Sequence, residues 1–132
     1  MKKIKIFLFN PYPSIGGVDT TIFRFINSLN LNKFEVEYLS LKKVKYFKNK
    51  NIIYTKIKSR STFLSFFKIM KKIKKDKHEK KFFFSIQYFV NVWSILFIKL
   101  FLGIKIFIYE VNHLNELNYY SNFKEFIKKN II

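Results

Sequence analysis

Residues 4–29 read IKIFLF, then NPYPSIGG, then VDTTIFRFINSL. The first six are almost wholly apolar, as a central parallel strand covered on both faces requires. The run stops at Asn10 and crosses a segment holding two prolines and the pair Gly16 and Gly17. Val18, Ile22, Phe25, Ile26 and Leu29 then recur at spacings of three and four, the period of an amphipathic helix. Strand, glycine turn and helix in this order open an open α/β sheet. The turn lies at the carboxyl end of the strand and aims backbone N–H groups at a helix start, where an anion is favoured.

Outward from this unit the period switches repeatedly. Phe34, Val36, Tyr38 and Leu41 predict a second strand with Glu35 and Glu37 on its other side, and Ile52–Ile57 a third. Phe63, Phe66, Phe67, Met70 and Ile73 form a helical stripe that ends in the charged run KKIKKDKHEKK. Phe82–Ile86 reads as a fourth strand, and Tyr88–Leu102 as a helix closed by Gly103. Ile104–Tyr109 reads as a fifth strand, and Phe123–Lys129 starts another helix. The order βαββαβαβα predicts an α/β fold: a doubly wound, mostly parallel, Rossmann-like sheet in one domain, residues 1–132.

Composition narrows the chemistry. There is no cysteine and there are only two histidines, which excludes a disulfide framework and thiolate chemistry and argues against a metal site. The net charge of +18 suits a polyanionic partner, but Lys, Ile, Phe, Asn and Tyr supply 81 of the 132 residues and alanine is absent. Those five have A/T-rich codons, so the charge reflects either drift in a low-GC genome or a selected basic surface. The apolar region Phe82–Tyr109 is interrupted by Asn91, Lys99, Gly103 and Lys105, so it reads as a buried helix and strand rather than a membrane span. No cleavable signal peptide is visible.

Three loops at the carboxyl ends of strands should line one crevice: Asn10–Gly17, Gln87–Asn91 and Glu110–Glu116. The first matches neither GxGxxG nor GxxxxGK[ST], yet its glycines permit close backbone approach and positive φ. It is either a phosphate-facing turn or a tight turn that binds nothing. Asp19 suits the helix dipole but would repel a phosphate beside it, leaving backbone donors rather than a cation to bind one. In the third loop, YEVNHLNEL, His113 is either a general base or sugar ligand or a solvated residue, while Glu110 and Asn112 can bond a polar ligand or the loop itself. His78, inside a lysine run, reads as solvated.

These residues carry a resemblance. FNPYPSIGGVDTTIFRFINSL, residues 9–29, is similar to the amino-terminal strand, GG turn and helix of family 4 glycosyltransferases of the GT-B fold. FSIQYFVNVWSILFIKLFLGIKIFIYEVNHLNEL, residues 84–117, resembles the second landmark of that domain: a strand ending in S, a helix containing N, and a strand ending in ERN. The resemblance implies a hexosyltransferase-like enzyme of polysaccharide biosynthesis. It would take a nucleotide-sugar donor as substrate, with no cofactor, and a glycan or lipid-linked acceptor. The implied location is the cytoplasm, peripheral on the membrane face. Gly16 and Gly17 would approach the donor diphosphate, Glu110, Asn112 and His113 would lie on the acceptor side, and His113 would be the catalytic candidate.

Two departures limit it. Val111 stands where ERN has arginine, and no two glutamates are eight apart, as the family's carboxyl-terminal donor domain requires. The expectation is an incomplete amino-terminal, acceptor-side domain, inactive alone: a truncated reading frame, a fragment, or one piece of a split enzyme whose carboxyl-terminal half would come from another polypeptide. The alternative is a basic module that binds anionic membrane or nucleic acid through Lys42–Lys58 and Lys68–Lys81. The aromatics in those runs have core-like spacing, which disfavours nucleic acid.

Overall fold

A computed structural model describes residues 2–45 and 48–109. Its elements are β1 (Ile4–Phe9), α1 (Gly17–Ser28), β2 (Phe34–Ser40), β3 (Ile53–Lys56), α2 (Thr62–Lys75), β4 (Lys81–Ile86), α3 (Tyr88–Ser94) and β5 (Lys105–Tyr109). The strands form one sheet in the order β3-β2-β1-β4-β5, and every neighbouring pair is parallel. The α/β, doubly wound reading therefore holds. The helix expected at 123–129 lies outside the described residues.

Alternation along β1 sorts the core into two layers. Ile6 and Leu8 join Ile22 and Ile26 of α1 with Val36 and Tyr38 of β2. Phe7 and Phe9 point the other way, onto Phe66, Ile69 and Ile73 of α2, with Phe83, Val90 and Ile98 beside them. The Phe9 and Phe66 rings meet edge-on at 5.4 Å, a geometry worth about 1 kcal/mol beyond its area. α2 therefore has its first turns at the carboxyl edge of the sheet.

Its last turns reach the opposite edge, over a buried charge network absent from the strand reading. Lys5, on the otherwise apolar β1, is 3% exposed and pairs with Glu35 and, at 3.3 Å, with Glu37. Glu37 also takes Lys72 Nζ at 2.9 Å and the Thr55 hydroxyl at 2.5 Å. The network explains how β2 can bury Glu37 rather than expose it: a buried carboxylate is tolerable when paired. Burial pushes the Glu37 carboxyl up, but the Lys72 and Thr55 hydrogen bonds and two lysine charges prevail, and its pKa falls below 4.5. Burial likewise opposes the Lys5 ammonium, but its bond to Glu35 and the two carboxylate charges prevail, and its pKa rises above 10.5.

Three further expectations change. His78 is not solvated: its Nδ1 lies 3.0 Å from Asp76 Oδ1 and its Nε2 3.6 Å from Glu35. The helix over 88–102 is α-helical only to Ser94, then widens into a π-helical turn over Ile95–Leu100, before Gly103 ends it at φ +64. The widened turn leaves Ile98 fully buried. Finally, Phe63 and Phe67 do not join the core; they are 39% and 53% exposed. With Phe63, Phe66 and Phe67 within five residues, one helix face cannot bury them all.

Candidate functional site

The strand order reverses at β1, whose partners are β2 on one side and β4 on the other. A crevice at the carboxyl ends of β1 and β4 follows, and in open α/β sheets ligands bind there. Asn10 leaves β1 into it and Gln87 leaves β4, and Gln87 Nε2 donates to Asn10 Oδ1 at 3.3 Å. Two of the three loops expected to converge therefore do. Glu110, Asn112 and His113 lie outside the described residues.

Asn10 organises the first loop. It is fully buried, and its Nδ2 donates to Asp19 Oδ1 at 3.1 Å and to the Tyr38 hydroxyl at 2.9 Å. Burial, above all, pushes the Tyr38 hydroxyl pKa far up, so it stays a neutral partner. The second carboxylate oxygen of Asp19 takes the Ser14 N–H at 3.2 Å and the Ser14 hydroxyl at 3.3 Å. Asp19 is thus turned inward as the knot of the loop, and its charge is spent on these donors. It nonetheless lines the cleft described below, so a phosphate held there would lie beside it, as expected.

Gly16 caps α1 in extended geometry, φ −170° and ψ 178°, and Gly17 begins the helix. Neither has positive φ, which corrects the conformational reason expected for the pair. A Cβ on Gly16 would come no closer than 3.9 Å to the Ser14 hydroxyl, and one on Gly17 would meet nothing within 4 Å. Nothing inside the described fold demands glycine at either position. Both residues are exposed, and no side chain caps the helix start. The Thr20 and Thr21 hydroxyls bond the carbonyls of Gly16 and Gly17 at 2.9 and 2.8 Å. The N–H groups of this turn are the unsatisfied donors that every helix start presents.

Cations missed in the sequence stand beside this turn. The Pro11 carbonyl takes the N–H groups of Leu41 and Lys42 at 2.9 and 3.3 Å, fastening the loop after β2 to the loop after β1. Val44 is buried and anchors that second loop, while Lys42, Lys43 and Lys45 stay exposed. Lys42 Nζ sits 5.5 Å above the Tyr12 ring. Together with Pro13, Ser14, Asp19 and Val44, the three lysines line a cleft of about 240 Å³. That is below the usual range for a whole small-molecule site and suits a phosphoryl group. The lysines were visible as a basic run, but only the strand pairing brings them to the first loop.

Behind Gln87 the polar groups are structural. With its amide nitrogen turned toward them, Asn91 donates to the Ser85 hydroxyl at 2.7 Å and to the Ser85 and Gln87 carbonyls at 3.1 and 3.2 Å. The Ser94 hydroxyl reaches Ser85 Oγ at 2.9 Å. Asn91 is buried in this network and does not face the crevice. Gln87 itself has φ 82° and ψ 142°, outside the regions open to L-residues. Such strain costs about 1–3 kcal/mol and gathers at functional sites.

No family model matches the chain, and no curated protein matches it. Among solved structures it is similar to a UGT transferase from Siraitia grosvenorii determined in complex with UDP, with a TM-score of 0.52 and 13% identity. The similarity covers 97% of this chain and 28% of that one. At that identity it shows the fold alone: the chain has a glycosyltransferase-like α/β fold. It spans little more than a quarter of its neighbour's length. Among the described residues, no helix is long and apolar enough to cross a membrane.

Proposed function

We infer that residues 1–132 are the amino-terminal, acceptor-side domain of a family 4-like glycosyltransferase, which passes a sugar from a nucleotide donor to a glycan or lipid-linked acceptor. The carrying observation is the helix start at Gly16 and Gly17, exposed and without a side-chain cap, beside the Lys42–Lys45 cleft between the loops after β1 and β2. Sugar transfer from a nucleoside diphosphate leaves a diphosphate whose negative charge grows as the bond to the sugar breaks. Oriented N–H groups and fixed ammonium groups stabilise that charge without having to reorganise. Glycines that the fold itself does not need leave room for phosphate oxygens to approach the backbone.

The neighbour's complex with UDP supports a nucleotide-sugar partner for this chain. The cleft is too small for the nucleoside as well, so the reading requires a facing domain to hold the base and ribose. Glu110, Asn112 and His113 keep their proposed acceptor-side roles, with His113 the catalytic candidate.

The test is ³¹P NMR titration of the whole chain with UDP, GDP and inorganic diphosphate. Selective broadening of the β-phosphorus is expected, lost in a Lys42→Gln/Lys43→Gln/Lys45→Gln variant and retained in Lys74→Gln/Lys75→Gln/Lys77→Gln, which removes equal charge at the other edge of the sheet. Equal losses in both variants, or no selective broadening, would overturn the reading.

A further inference from the structure

Between the Glu37 and Asp76 carboxylates the chain runs through residues 38–75 with thirteen Lys or Arg and no Asp or Glu. Both flanking carboxylates are already taken, Glu37 by Lys5 and Lys72 and Asp76 by His78. At the carboxyl end of β3 this run folds around a second cleft. It has a volume of about 650 Å³ and is lined by Lys56, Lys58, Arg60 and Lys68, with buried Leu41 and Ile57 and exposed Leu64 in its walls. The four cations are exposed, and among the described residues none of them has a carboxylate partner.

Hydrogen bonds fix its shape. The Ile57 N–H donates to the Ser40 carbonyl at 2.7 Å, fastening the end of β3 to the end of β2. The Lys58 carbonyl takes the Lys68 ammonium, which ties the loop after β3 to α2. Ser61 Oγ accepts the Leu64 N–H at 3.2 Å, so the start of α2 is already capped and the side-chain cations make the site. Leu41 lines this cleft and Lys42, the next residue, lines the Lys42–Lys45 cleft, so the two share one wall. Leu41 packs in the core layer of α2 and Val44 in that of α1, which puts the clefts on opposite sides of the end of β2. The Pro11 carbonyl, bonded to the Leu41 and Lys42 N–H groups, pins the wall between them.

Size and wall chemistry select the ligand. The cleft falls within the range of a small-molecule site, which its 240 Å³ neighbour does not. Convergent cations repel one another until an anion lies between them, and a guanidinium such as that of Arg60 matches the paired oxygens of a carboxylate or phosphate. No aromatic ring is among the residues that line it, so a nucleic-acid base has nothing there to stack on. We propose that the Lys56–Lys68 cleft binds an acidic saccharide, gripping a carboxylate or phosphate carried on the sugar. Its role in turnover rests on the sugar-transfer reading: the donor diphosphate occupies one cleft and the acidic group of the acceptor the other, across the Leu41–Lys42 wall. The acceptor is then an acidic glycan rather than a neutral one.

The experiment is isothermal titration of the full chain with tetragalacturonate, with its neutral methyl ester, and with glucose 6-phosphate. Binding of the first assigns a carboxylate and binding of the last a phosphate, and either supports the proposal when the methyl ester does not bind. Lys56→Gln/Lys58→Gln/Arg60→Gln should weaken that binding by about tenfold, the loss of three ion pairs of ordinary surface strength. It should leave the ³¹P response to UDP unchanged, whereas Lys42→Gln/Lys43→Gln/Lys45→Gln should do the reverse. Saccharide binding without any UDP response would remove the acceptor role and keep the acidic-saccharide site.

Equal binding of tetragalacturonate and its methyl ester, or no binding of either acidic ligand, would overturn the proposal. An equal loss in Lys74→Gln/Lys75→Gln/Lys77→Gln would mean that the charge acts diffusely and would overturn it too. So would displacement of the saccharide by a single-stranded oligonucleotide bound more tightly through the same residues.

Discussion

Replacing Asn10 by leucine asks how firmly the crevice is held from beneath. The two side chains branch alike and have similar volumes, so the variant removes hydrogen bonds without opening a cavity. The bond lost to Asp19, at 3.1 Å, is charge-assisted and contributes about 1.5–3 kcal/mol. The bond to the buried Tyr38 hydroxyl, at 2.9 Å, adds about 1 kcal/mol. The 3.3 Å contact with the exposed Gln87 side chain adds little. A loss of about 3 kcal/mol follows from these terms. With an unfolding entropy of about 2.1 cal/mol/K per residue, the chain should melt about 11 °C lower. Urea unfolding and calorimetry read both quantities, and the double variant with Tyr38→Phe should cost less than the sum of the single ones. A loss under about 0.5 kcal/mol, within the range of an ordinary surface substitution, would refute the role given to Asn10 and with it the inward anchoring of Asp19.

Gln87→Gly should be more stable than Gln87→Ala by about 1 kcal/mol, because only glycine relaxes at φ 82°; in an unstrained position the order reverses, and urea unfolding of the pair decides. Gly17→Ala should leave stability unchanged or raise it by up to about 1 kcal/mol, since its Cβ meets nothing, while weakening diphosphate binding in the ³¹P titration. Glu37 has a depressed carboxyl pKa, so its contribution is present above the unfolded value of 4.5 and is lost as pH falls through the folded value. Glu37→Gln should therefore lower stability at neutral pH by about 3–5 kcal/mol and flatten the acid limb of a melting-temperature profile below about pH 4.5. Lys5, whose pKa is raised, contributes below 10.5 and loses its contribution as pH climbs through the folded value, so the alkaline limb should flatten in Lys5→Met.

The layered fold was legible because hydrophobic period is local: IKIFLF and FFFSI read as strands and pair side by side, Ile6 opposite Phe82. The charge network was not legible, because Lys5, Glu37, Thr55 and Lys72 are brought together only by strand order. The same cause hid Lys42–Lys45, which joined the site through two backbone bonds to the Pro11 carbonyl. Asp19 was read from its place in the first helical turn, yet its orientation depends on Asn10, nine residues earlier. The aromatic stripe of α2 misled for a different reason. A period tells which residues share a face, but not how far the opposing layer extends over it, and beyond Phe66 the layer stops short of Phe63 and Phe67.

The all-parallel sheet has a kinetic consequence. The least separated pairing, Glu37 with Ile53, already joins residues sixteen apart, and Lys5 with Lys81 spans seventy-six. With no hairpin among the described strands to close first, the entropy of long loops must be met before any strand gains a neighbour, which slows folding. During that interval apolar strands with open edges can pair between molecules. A chain carrying +18 repels its copies throughout the delay, and the lysines that begin β4 and β5 and end β3 stand as gatekeepers at the strand ends. High salt, by screening that repulsion, should make this chain hardest to refold where its native state is not weakened at all.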